Sequence, residues 1–165
     1  MIYLSKIRNK IIQDQKQLEK VIEKWASENK KIVFTNGCFD IIHRGHIEYL
    51  SKAADYGDVL VIGLNTDDSV SRIKGPHRPI QDEVGRAHIM AALEFVDLVI
   101  YFNEDTPYDL IKQVQPDVLV KGADYNAEDI VGYDIVMAKG GQVKTLKFLP
   151  GHSTSAIEAK IKLAD

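Results

Sequence analysis

Five short apolar runs, each nearly unbroken, do most to limit what this chain can fold into. They are Ile32-Val33-Phe34, Val59-Leu60-Val61-Ile62, Val96 to Phe102, Val118-Leu119-Val120 and a weaker one at Gln142 to Leu146. A strand with one wet face alternates apolar and polar residues. A run without alternation is covered on both faces, and such strands belong to parallel sheets packed between helices. Helix-compatible segments lie between the runs, at roughly 46–56, 66–73, 82–94, 107–114, 128–139 and 153–163. Thr106-Pro107 suits a helix start, and Gly57 and Gly140-Gly141 suit helix ends. The alternation predicts an α/β domain, a single Rossmann-like doubly wound parallel sheet with helices on both faces. Before the first run, residues 10–29 read as an amphipathic helix with Leu18, Val21, Ile22 and Trp25 on one face. The expected organisation is an N-terminal helical extension over residues 1–29 and one domain over 30–165. Trp25 is expected to anchor the extension to the core or to another subunit.

Composition removes several classes of function. The single cysteine among 165 residues leaves no disulfide framework and no Cys-based zinc or iron–sulfur site. The longest apolar stretch, Val59 to Leu64, falls far short of the ~18 residues of a membrane span. Charges interrupt MIYLSKIRNKIIQDQ too often for a signal peptide. A net charge of −3 argues against a broadly basic surface for nucleic acid. The expectation is a cytoplasmic protein with neither membrane nor nucleic acid as partner.

In sheets of this kind ligands bind beyond the carboxyl ends of the strands. Three polar segments follow the runs there: Thr35 to Asp40, Asn65 to Asp68, and Lys121 to Asp124. Neither G-x-x-x-x-G-K-[ST] nor G-x-G-x-x-G occurs, so any phosphate must be held by another device. The segment Asn36-Gly37-Cys38-Phe39-Asp40-Ile41-Ile42-His43-Arg44-Gly45-His46 offers one. Histidines three apart at a helix start can face one ligand, and the helix N-terminus favours an anion. Gly45 lets a flat base or a phosphate approach the backbone. The plain alternative is two solvated histidines on a turn. Ser153-Thr154-Ser155 opens the last helix, either as a second anion site or as an ordinary cap.

The run Gly37-Cys38-Phe39-Asp40 with His43-Arg44-Gly45-His46 resembles the G-x-F-D-x-x-H-x-G-H motif of the cytidylyltransferase-like nucleotidyltransferase superfamily. His152-Ser153-Thr154-Ser155 is similar to that superfamily's I-S-T-[ST] signature, with His for Ile. Phe34 to Asp40, Leu64 to Asp68, Arg72 to Gly75, Arg78-Pro79, Val120 to Tyr125 and Gly151 to Ser155 together resemble its heptose 1-phosphate adenylyltransferase branch, in a stand-alone form without a sugar kinase. Gln81 to Arg86 departs from the N-P-L-E-Q-R of fused forms and keeps only the arginine. Phe148 stands where the R-T-E-G-I-S-T-T signature of glycerol-phosphate cytidylyltransferases has its arginine, which argues against that product.

The resemblance implies that residues 30–165 form a nucleotidyltransferase domain. A sugar 1-phosphate would attack the α-phosphorus of ATP and expel pyrophosphate, with Mg²⁺ on the phosphates. His43, His46 and Lys74 would be the catalytic groups. Asn36, Gly37, Cys38, Phe39, Gly45, Lys121, Gly122, Ser153, Thr154 and Ser155 would bind the nucleotide. Asp40, Asn65, Asp67, Arg78, Arg86 and Asp124 would meet the sugar phosphate, Asp40 alternatively helping to hold the metal. Asp40 also suits a turn cap, Phe39 the core, and Asn65 and Asp67 a helix cap. His77 and His152 read as bystanders. Relatives commonly form dimers, so a homodimer or higher homo-oligomer is implied. Two alternatives stay open: another sugar or polyol phosphate with CTP or GTP as donor, and a catalytically silent nucleotide-binding domain.

Overall fold

A computed structural model of the chain describes residues 2–123 and 126–163. In chain order the elements are α1 (Ile2–Asn9), β1 (Ile11–Ile12), α2 (Gln15–Ser27), β2 (Ile32–Gly37), α3 (Arg44–Ala54), β3 (Val59–Asn65), α4 (Asp67–Lys74) and α5 (Glu83–Ala92). They continue with β4 (Leu98–Phe102), α6 (Tyr108–Val114), β5 (Val118–Gly122), a 3₁₀ turn (Ala127–Asp129), α7 (Tyr133–Ala138), β6 (Gln142–Leu146) and α8 (Thr154–Lys162).

The strands form one sheet in the order β1-β4-β3-β2-β5-β6, and every neighbouring pair is parallel. The chain winds from β2 outwards through β3 and β4, then returns to lay β5 against the free side of β2. That reversal is the topological switch point, where the carboxyl ends of two strands part and leave a crevice. The five runs are the five long strands. All seven residues of β3 are buried, which explains why its sequence does not alternate.

Successive residues of a strand point to opposite faces, so the two sides of the sheet build separate cores. Phe34, Val61, Ile100 and Leu119 pack with Leu18, Leu110, Ile111, Val114 and Val136 on one side. Val33, Leu60, Ile62, Val99 and Val118 pack with Tyr49, Leu50, Ala53, Ala87 and Met90 on the other. Helices therefore cover both faces, as the apolar runs predict.

The N-terminal stretch differs from a simple helix over residues 10–29. Ile11 and Ile12 extend the sheet by pairing with Val99 and Ile100. The helix begins only at Gln15, because the Asp14 carboxylate accepts from the Gln17 N–H and caps it there. Ile12 and Leu18 are buried in the same core as the strands, so this stretch is part of the packed body.

Candidate active site

Between β2 and α3 the backbone makes a tight bend with Phe39 at φ 44°, in the left-handed region that a bulky residue enters only at a cost of about 1–2 kcal/mol. The bend sends Phe39 inward, where it is 7% exposed. Its ring meets His46 edge to face, 5.7 Å between centroids. On its other side His46 stacks on His43 at 3.9 Å. His43 is the N-cap residue of α3, its carbonyl accepting from the His46 N–H at 2.9 Å. The expected three-residue spacing thus brings both imidazoles to one place. Gly45 makes the stack possible: a methyl there would come within 3.0 Å of the His43 ring and 3.3 Å of the His152 Cβ.

The Nδ1 atoms of both histidines are buried and, among the described residues, have no hydrogen-bond partner. Burial, then the charges of His43 and Lys74, lower the His46 pKa to about 4. Burial and neighbouring His152 lower that of His43. Both rings are therefore neutral at pH 7 while nothing anionic is beside them. Half-buried imidazoles, each with one buried and unpartnered nitrogen, next to a lysine form a site that an anion would complete.

Beneath the histidines lies a network of buried polar groups. Arg86 is wholly buried and donates to the Gln81 carbonyl at 3.1 Å, the Cys38 carbonyl at 2.6 Å and the Asp67 carboxylate at 2.8 Å. Asp40 accepts from the Ile80 and Gln81 N–H groups, and Nε of Arg78 lies 2.8 Å away as a charge contact off the hydrogen-bond axis. A second nitrogen of Arg78 contacts Glu158 of α8. Asn65 accepts from the Cys38 thiol and donates to Ser69. Sequence reading sends Asp40, Asn65, Asp67, Arg78 and Arg86 to the sugar phosphate. Here Arg78 pairs with Asp40 and Arg86 with Asp67, Asp40 and Arg86 hold the loop from Gly75 to Asp82, and Asn65 ties Cys38 to Ser69. The α4 cap is Thr66, which accepts from the Ser69 N–H, so neither Asn65 nor Asp67 has that role. Asp124 lies outside the described residues.

The opposite wall is β5 and α8. Lys121 donates to Asn36 Oδ1 at 2.9 Å across the switch point, and burial lowers its pKa. Ser153 caps α8 by accepting from the Ala156 N–H, and Thr154 donates to the Ile41 carbonyl at 3.4 Å. Asn36, Gly37, Cys38, Phe39, His46, Lys74, Lys121, Gly122 and Thr154 line one cavity of about 380 Å³. Lys74 and Thr154 also open onto a neighbouring hollow of about 670 Å³, which holds Ser155, Arg78 and Glu158. Asn36, Gly37, Cys38 and Lys121 open onto another of about 350 Å³, towards Asn65, Asp105 and Thr106. Tyr49, which sequence reading leaves out of the site, and Phe148, read there only as a departure from a family signature, line the central cavity. Tyr49 sits at a core spacing of α3, and Phe148 sits beyond the last strand.

Known proteins share the sequence pattern and the fold. The sequence pattern of the family described as Cytidylyltransferase-like matches residues 34–160. The chain belongs to the cytidylyltransferase-like family. It is a nucleotidyltransferase by that membership, and the matched residues include the two helix starts that face the cavity. The nucleotidyltransferase is 51% identical over 157 residues to the Bifunctional protein HldE of Citrifermentans bemidjiense, covering 95% of this chain and 31% of that protein. It is 55% identical over 141 residues to HldE of Geobacter metallireducens, covering 86% and 29%. The chain thus spans about a third of the length of these relatives.

Among solved structures, a lipopolysaccharide core biosynthesis protein from Thermoplasma volcanium superimposes with a TM-score of 0.58 at 30% identity, covering 73% of this chain and 97% of that one. Pantoate-beta-alanine ligase from Francisella tularensis superimposes with a TM-score of 0.63 at 16% identity, covering 93% and 77%, and shares the fold. No helix among the described residues is long and apolar enough to cross a membrane.

Proposed function

We propose that this nucleotidyltransferase transfers AMP from ATP to a heptose 1-phosphate, giving ADP-heptose and pyrophosphate for a surface glycan. The observation that carries the reading is the stacked pair His43 and His46, each with a buried Nδ1 that has no partner among the described residues, with His46 beside Lys74 in the cavity at the switch point, opposite the start of α8. Identity with the HldE proteins near 50% supports the heptose, and the lipopolysaccharide core biosynthesis neighbour supports the glycan.

A phosphate oxygen of the acceptor attacks the α-phosphorus, its new P–O bond forming as the bond to the β-phosphate bridging oxygen breaks and pyrophosphate leaves. The acceptor is already an anionic nucleophile, so the protein's work is positioning and charge neutralisation. His43, His46 and Lys74 act on the triphosphate and on the charge that builds up as it cleaves. Asn36, Gly37, Cys38, Phe39, Gly45, Lys121, Gly122 and Ser153 to Ser155 surround the nucleotide. Asn65, in the adjoining hollow with Asp105 and Thr106, offers polar groups to the acceptor's hydroxyls. Asp40, Asp67 and Arg86 serve the acceptor indirectly, by holding the loop beside it, and Arg78, in the hollow shared with Lys74 and Thr154, meets the acceptor's phosphate.

The divalent ion, Mg²⁺, enters with ATP as part of the substrate. Among the described residues no group of three or more His, Cys, Asp and Glu side chains is placed to hold a metal. Asp40, the nearest acid to the motif, already accepts two N–H bonds. An ion that keeps phosphate oxygens and water as most of its ligands fits this donor set. A cytoplasmic homo-oligomer acting on small molecules is part of the same reading.

The test is pyrophosphate release with D-glycero-β-D-manno-heptose 1-phosphate and Mg²⁺, with ATP, CTP and GTP compared. Release with ATP that is lost in His46→Ala is expected. Release with CTP or GTP in preference to ATP overturns the adenylyl assignment, and silence with all three overturns the heptose.

A further inference from the structure

Phe148 follows β6 and is 48% exposed, although it lines the central cavity. Its ring lies on the bare backbone of Gly122 at the end of β5, where a methyl group would collide with Cε2 and Cζ. Its other neighbour is Tyr49, 5.6 Å away between centroids and tilted by 36°. That backing is rigid. Tyr49 is buried, its hydroxyl lies 2.9 Å from Thr35 Oγ1, and burial pushes its pKa up to about 12. The phenyl ring is therefore supported from behind and wet in front.

A large aromatic face left in water inside a concave site gains most from a flat apolar partner. The rest of the cavity has a different chemistry, with His46, Lys74 and Lys121 around it. One kind of molecule satisfies both ends, a planar heteroaromatic ring joined to a polyanion.

We propose that Phe148 is the base-stacking residue of the nucleotide site and sets its preference for purine over pyrimidine nucleotides. This rests on the reading of the cavity as an ATP site and adds how the base is chosen. Stacking strength grows with the overlap of π faces, so a bicyclic purine covers the phenyl ring better than a monocyclic pyrimidine. The phosphates then extend towards His46 and Lys74. Gly122 is the residue that lets the ring sit this deep.

The test compares Phe148→Ala and Phe148→Trp, with ATP, CTP and inorganic tripolyphosphate as probes. Phe148→Ala is expected to raise the KM for ATP about tenfold, to leave kcat within about twofold and to lower the ATP-to-CTP ratio of kcat/KM. Inhibition by tripolyphosphate, which has no base, stays as in the wild type. Phe148→Trp keeps the KM and shows saturable quenching by ATP beyond the Trp25 signal of the wild type. An unchanged KM for ATP in Phe148→Ala overturns the proposal, as does a parallel weakening of ATP and tripolyphosphate. If Phe148→Ala fails to fold, the tryptophan variant decides, and emission indifferent to saturating ATP overturns the proposal. A wild type that releases no pyrophosphate with any nucleotide refutes the functional reading instead. ATP quenching of Phe148→Trp in that same protein would still support the stacking residue.

Discussion

Two helix starts face the same cavity, and they are held in very different ways. In α3, which carries Gly45 and His46, four residues are buried: Gly45, Tyr49, Leu50 and Ala53. In α8, which opens with Thr154 and Ser155, none is. The motif before α3 is also gripped from below by Arg86 and Asp40, whereas α8 is tied by Thr154 to Ile41 and by Glu158 to Arg78. One wall is built like a core and the other like a flap. Groups that must meet a transition state within fractions of an ångström belong on the first. A segment that has to admit a triphosphate and release pyrophosphate belongs on the second.

The largest expected effect comes from emptying the rigid wall of its chemistry while leaving its structure. His46→Ala should lower kcat about 10²–10³-fold, the loss typical of one oriented group acting on developing charge. Its melting temperature should stay within a few degrees of the wild type, read by calorimetry. A fall in kcat below fivefold would move the chemistry away from the motif. The converse experiment breaks the wall and leaves the histidines in place. Arg86→Ala strands the Cys38 and Gln81 carbonyls and unpairs Asp67, a loss of about 3 kcal/mol for a buried charged group of this kind. At this chain length that is roughly 10 °C in melting temperature. Arg86→Lys should recover little, because an ammonium cannot reach three acceptors in a fixed fork. A variant that melts with the wild type would show that the wall does not hang on Arg86.

The same contrast explains what the sequence made legible. The five strands could be read because burial on both faces removes alternation, and the histidine pair because its spacing is fixed by one helical turn. The roles of the charged residues could not be read in that way. Arg78 and Arg86 look alike as loop cations beside an anion site. What separates them is that Arg86 is wholly buried and donates to the Cys38 carbonyl, 48 positions away in sequence, whereas Arg78 stays at the edge of a hollow. No local pattern records such a distant contact. Phe148 was legible only as a departure from a family signature, since the contact of an exposed aromatic after an edge strand is seen only once Gly122 lies beneath it. The strand at Ile11 and Ile12 was masked by the helix-like periodicity that runs on from it.

A smaller effect is expected at the flap. Glu158 occupies one edge of the Arg78 guanidinium and lines the hollow that adjoins the histidine site. A carboxylate there competes with phosphate for Arg78. Glu158→Gln should therefore lower the KM for the sugar phosphate by up to about fivefold, the scale of a partly exposed ion pair, with little change in kcat. A raised KM would mean that the pair holds the flap in its working position, and the competition would be refuted.

The smallest effect is also the most specific to the rigid wall, because it reads the charge state of His46. Its pKa in the free protein is about 4, lowered first by burial and then by the positive charges of His43 and Lys74, whereas an unfolded histidine titrates near 6.5. Between those values the unfolded chain binds more protons than the folded one. Stability contributed by His46 is therefore complete above about pH 6.5 and falls as the pH drops towards 4. An arriving triphosphate reverses the balance, since an anion beside the ring favours the imidazolium and raises the pKa. At a pH between the free value and the raised value of the complex, binding takes up protons, so this histidine makes affinity for ATP rise as the pH falls through that range. Titration calorimetry at pH 6, in two buffers of different ionisation heat, measures that uptake. ATP and His43, whose pKa is also lowered, contribute to it in both proteins, so the informative quantity is the wild-type uptake minus that of His46→Asn. A positive difference places the triphosphate against His46. Equal uptake by the two proteins would mean that the phosphates pass the histidine by, and the rigid wall would then be scaffold rather than catalyst.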